Sequence, residues 1–69
     1  MMNNASTIDV NVEKHGGLLL FRLNTAAATA WVDANVDEDA QWFGGALVAE
    51  HRYALDLAQG MLDAGLLVA

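Results

Sequence analysis

The sequence predicts an α+β domain built on a small, mainly antiparallel sheet with helices on one face. Three patterns carry that expectation. Apolar residues alternate over Thr7–Lys14, glycine pairs punctuate the apolar runs, and two later stretches repeat their apolar residues at helical spacing. The predicted order is β-β-α-β-α, with Leu66-Leu67-Val68 as a short last strand or a packed tail. Residues 1–6 are polar and read as a frayed tail, and residues 7–69 form one domain.

Within Thr7–Lys14, Ile8, Val10 and Val12 face one way, while Thr7, Asp9, Asn11 and Glu13 face the other, which is the pattern of a half-buried strand. His15-Gly16-Gly17 then reads as a hairpin turn, because glycine supplies the positive φ that tight hairpins require. Leu18–Leu23 returns as the second strand with Leu19, Phe21 and Leu23 on the core face and Arg22 outward. Leu18 and Leu20 are left on the outer face, a sign that this face is covered too. Asn24 or Thr25 caps a helix over Ala26–Val36, in which Ala27, Ala30, Trp31 and Ala34 share helical spacing. Gln41–Ala49 reads as one strand, with Gly44-Gly45 marking a bulge or close approach within it. Tyr53–Ala64 is the second helix, with Ala54, Leu57, Ala58, Met61 and Leu62 as its apolar stripe and Gly65 as its C-cap.

A chain of 69 residues buries only about 60% of its unfolded surface, so a domain of this size commonly needs a staple or a partner. There is no Cys, which excludes disulfides, thiolate metal sites and cysteine nucleophiles, and fits a reducing cytoplasm. Hydrophobic residues make up 55% of the chain, more than one small core hides, and the surplus reads as an interface. The net charge is −6, with Lys14, Arg22 and Arg52 the only strong bases. Direct nucleic-acid binding and adhesion to an anionic membrane are both disfavoured, since each needs clustered bases. No signal-peptide pattern is expected at Met1–Ser6, and Leu18–Phe21 is far too short to span a bilayer.

Four of the nine acidic residues, Asp33, Asp37, Glu38 and Asp39, fall within seven positions that hold no base. They follow the predicted first helix and lie near its negative pole, where each acid is disfavoured by a few tenths to about 1 kcal/mol. A local rule broken without compensation marks a surface that meets something positive. Asp33, Asn35 and Asp37 match the first three positions of an EF-hand loop, but Glu38 stands where Gly is needed and Gly44 where the bidentate Glu is needed. The competing structural reading has Asn35 capping a new helical turn with Glu38 three residues on.

Glu50-His51-Arg52 groups ionisable residues, but no nucleophile stands beside them, so they read as a lead into the second helix, with Glu50 at its entry and Arg52 in a surface ion pair. Neither glycine pair has the spacing of a phosphate loop. Trp31 reads as core. Trp42 and Phe43 are adjacent in a strand and must face opposite ways, so one of them joins Leu18 and Leu20 on the non-helix side.

The run Gln41-Trp42-Phe43-Gly44-Gly45-Ala46-Leu47, with Glu50, Arg52-Tyr53, Leu57, Gly60-Met61 and Gly65-Leu66, resembles a group of short bacterial proteins of plasmid and prophage type. The resemblance spans Val10 to Leu67 and implies no activity. Small acidic proteins of mobile elements include inhibitors of host defence, such as anti-CRISPR proteins and DNA mimics. That kinship is one of size and charge only.

These readings converge on a non-enzymatic protein–protein interaction module with no cofactor or metal. It uses Asp33, Asp37, Glu38, Asp39 and Trp42 to meet a basic protein surface, in the sharpest version as a mobile-element inhibitor. The alternatives are a structural homodimer whose acids are merely solvated, and a small-ligand or metal-binding domain.

Overall fold

The computed structural model describes residues 7–69; the expected tail over residues 1–6 lies outside the described residues. The order is β1 Val10–His15, β2 Leu18–Leu23, α1 Ala26–Asn35, β3 Gln41–Phe43, β4 Ala46–Glu50 and α2 His51–Asp63. The four strands form one antiparallel sheet in the order β1-β2-β4-β3. Both helices pack on the same face. Val10, Phe21, Leu47 and Ala49 from the sheet meet Ala28 and Val32 of α1 and Ala54, Leu57 and Met61 of α2 in one buried cluster.

Register follows from the alternation. Val10 pairs with Leu23, Val12 with Phe21, Phe21 with Leu47 and Leu19 with Ala49, so the apolar residues of three strands share the helix-covered face. The β1–β2 turn is Gly16-Gly17, with Gly16 at φ +64°, as expected. The predicted single strand Gln41–Ala49 is instead a hairpin. Gly44 and Gly45 both have positive φ, +55° and +81°, the pair of values a two-residue mirror-image turn demands, so they reverse the chain instead of bulging it.

Thr25 is the N-cap of α1: its Oγ1 accepts from the Ala28 N–H at 3.2 Å. Oγ1 in turn donates to Asp9 Oδ1 at 2.6 Å, and Asp9 Oδ2 accepts from the Leu67 N–H at 2.9 Å. One carboxylate thus joins the start of the sheet, the start of α1 and the C-terminal tail. The bond from Leu67, then that from Thr25, holds the Asp9 carboxyl below its ordinary value. Its folded-state value lies under its unfolded one, so this contribution is present above the unfolded value and lost as pH falls through the folded one. Asp9→Asn is therefore expected to lower the melting temperature at neutral pH, with the gap to the parent closing in acid. A gap independent of pH would show that the charge is not what matters.

The buried stripe of α1 is Ala28 and Val32 with Trp31 half-buried, while Ala27, Ala30 and Ala34 are exposed, a rotation from the expected face. Alanine on every side gives the helix no apolar contrast, so the larger Trp31 and Val32 set its orientation. In α2 the expected Ala54, Leu57 and Met61 are buried, but Leu62 is half exposed. At the end of α2, Gly65 adopts φ +88°; its N–H donates to Leu62 O, and the Leu66 N–H donates to Met61 O. This is the Schellman arrangement, with Leu66 and Met61 both buried as its apolar contact.

The tail after Leu66 runs parallel to β1 without forming a named strand. The Val10 and Val12 N–H groups donate to Leu67 O and Ala69 O, and the Ala69 N–H donates to Val10 O. The outer edge of β1 is thereby paired at Val10 and Val12.

Trp31 lies across α2 at Gly60, where an added Cβ would stand 2.9 Å from Trp31 Cζ2. Gly60→Ala would gain about 1 kcal/mol of helix propensity in isolation. Against the rigid indole it is expected to destabilise the protein, and to stabilise it when Trp31 is Leu. A double-mutant cycle by urea unfolding should give a coupling of about 1 kcal/mol or more. Equal effects in both backgrounds would contradict the contact.

Candidate functional site

Asp33 sits in the last turn of α1, and Val36 is the C-cap. The Ala40 N–H donates to Asp37 O at 3.1 Å, closing a four-residue turn with Glu38 and Asp39 at its centre. Asn35 does not cap a new helical turn, since its Nδ2 donates back to Trp31 O at 2.8 Å within α1. The acids therefore stay at the negative end of α1, and no base stands in its last turn. All four are exposed, and among the described residues none has an ion-pair partner.

The hairpin decides where the aromatics go. Trp42 pairs with Leu47, a core residue, so Trp42 lies on the helix side; Phe43 pairs with Ala46 and belongs to the opposite face. Trp42, 49% exposed, lines a depression of about 280 Å³ with Val32, Asp33, Val36, Asp37 and Glu38. Four of the five residues expected to bind a partner thus border one surface feature, and Asp39 lies on the turn beside it.

The open face of the sheet carries a second feature that the sequence only half foretells. Leu20 pairs with Val48 and Val48 with Gln41, so all three face away from the helices. With His15, Leu18, Phe43 and the edge of Trp42 they line an open groove of about 500 Å³. Leu20 is buried there, but Leu18 is 42% and Phe43 68% exposed. The apolar residue predicted to join Leu18 and Leu20 is Phe43.

The remaining candidates stay apart. Glu50 occupies the N-cap position of α2 without a side-chain capping bond, and His51 and Arg52 are exposed in the first turn. Among the described residues Arg52 makes no ion pair, contrary to expectation; Arg22 does, its Nε donating to Glu13 Oε2 at 2.9 Å. That bond first, and then the one from His15, holds the Glu13 carboxyl below its ordinary value. No group of three or more His, Asp or Glu among the described residues is placed to hold a metal ion. No helix among them is long and apolar enough to cross a membrane.

Comparison with protein-family models, with curated proteins and with solved structures gives no match.

Proposed function

We propose that this protein is a small acidic interaction module that recognises a basic protein surface through Asp33, Asp37, Glu38, Asp39 and Trp42. The observation that carries this reading is the placement of exposed acids around a half-exposed indole in one depression. Basic groups of a partner meet the acids and the α1 C-terminus together, and both attract cations. The indole supplies apolar contact area and a face for an Arg or Lys. The −6 net charge speeds encounter with a cationic partner. A mobile-element inhibitor that occludes such a surface is the specific form we favour, on size and charge.

Site-specific photocrosslinking in bacterial cells tests the surface. A photoreactive residue replacing Glu38 should give an adduct with one cellular protein, and one replacing Gln59, on the exposed side of α2, should give none. Adducts from Gln59 but not from Glu38 would sink the proposal.

The apolar groove favours a second reading, a homodimer through the open sheet face. Four strands at about 4.8 Å spacing and about 17 Å long offer a footprint of roughly 300 Å². A stable interface takes about 800 Å² per partner. The groove alone is too small for that role, so this reading needs a further contact surface. Sedimentation that shows a dimer lost on Phe43→Ser would favour it.

A further inference from the structure

The two sheet edges differ. The outer edge of β1 is paired over Val10–Val12 by the chain's own residues Leu67–Ala69, whereas no described residue pairs the outer edge of β3. Gln41, Trp42 and Phe43 are all exposed. A two-residue turn makes Phe43 and Ala46 the hydrogen-bonded closing pair, so antiparallel alternation turns the N–H and C=O of Trp42 outward. The same alternation holds on β1, where the outward groups of Val10 and Val12 are the ones that meet the tail.

We propose that β3 is a docking edge, and that its occupant is an extended partner segment in which basic and apolar residues alternate. This rests on the acidic-surface reading above and names the way it is used. A strand laid beside β3 sends alternate side chains to opposite faces of the sheet. On the open face they enter the groove bordered by Leu20, Phe43 and Val48. On the helix face they approach Asp33, Asp37 and Glu38 around Trp42. One face is therefore built for apolar residues and the other for cations, and both borders are shared by β3 itself. Charge decides between this occupant and a second copy of the chain. A second copy brings the same net charge of −6 to an edge flanked by exposed acids, whereas a basic segment is attracted to it. Three residues with one outward N–H and C=O pair are also too short an edge to hold a partner by backbone bonds alone, so the side-chain pattern of the partner sets the specificity.

The test titrates two synthetic peptides of equal composition into the ¹⁵N-labelled full chain at low salt. One alternates Lys and Val over seven residues; the other carries the same residues as a Lys block followed by a Val block. The alternating peptide should bind at least tenfold more tightly and slow hydrogen exchange at the Trp42 amide. N-methylation of its alternate backbone nitrogens should remove that advantage. Equal affinities, with shifts confined to Asp33, Asp37 and Glu38 and no protection at Trp42, would overturn strand addition and leave the acidic surface standing. If neither peptide bound, both readings would fall together.

Discussion

Phe21→Ala is expected to remove about a third or more of the protein's folding stability. Phe21 is 1% exposed at the centre of the sheet, opposite Val12 and Leu47, and belongs to the cluster that both helices cover. Truncating a buried Phe to Ala costs about 3–5 kcal/mol, through lost transfer energy and the cavity left behind. A domain of this length has a total stability of roughly 3–10 kcal/mol, so the loss is about a third of the whole or more. Urea unfolding followed by Trp fluorescence should show a midpoint lowered by about a third or more. Leu18, 42% exposed on the open face, should tolerate the same truncation with a loss under about 1 kcal/mol. Similar midpoints for the two variants would mean that the core is not where the buried cluster places it.

Replacing Asp37, Glu38 and Asp39 by Asn, Gln and Asn should leave the fold intact and weaken binding of a basic partner about threefold to a hundredfold at low salt. Each exposed charge contributes roughly 0.2–1 kcal/mol to a pair, and each 1.4 kcal/mol is a factor of ten. Most of the loss should appear in the association rate and shrink as salt rises, because rim charges act chiefly on encounter. Stability should hold or rise slightly, since the substitutions remove acids from beside the negative end of α1. Circular dichroism and a melting curve on the same samples separate lost binding from lost fold. A variant that bound as tightly as its parent at every salt concentration would remove the acidic turn from the account.

What the sequence reveals depends on how local the signal is. The β1–β2 hairpin is legible because six-residue strands flank Gly16-Gly17 and show their alternation. The second hairpin is not, because β3 is three residues long and shows no period of its own, so two glycines read as a bulge. Knowing that Gly44 and Gly45 turn the chain also settles which aromatic faces the acids, and this the sequence leaves open. The face of α1 is hidden by its alanines, whereas that of α2 is visible from Ala54, Leu57 and Met61 amid polar neighbours. Asp9 looks like an ordinary outward strand residue. Its partners Thr25 and Leu67 lie 16 and 58 positions away, beyond any local pattern. The acidic residues of the candidate site are legible as a charge run. Trp42 is named beside them from the sequence, but the face of the sheet it takes is not legible there.

In the proposed function, the acidic turn beside Trp42 captures a basic protein. The most direct test of that capture is a pull-down from bacterial lysate with tagged parent and with the Asp37, Glu38 and Asp39 triple variant, each at low and high salt. One protein should be held by the parent at low salt and released by salt or by the substitutions. Recovery of the same proteins by both forms, or of the tagged chain alone under every condition, would contradict it.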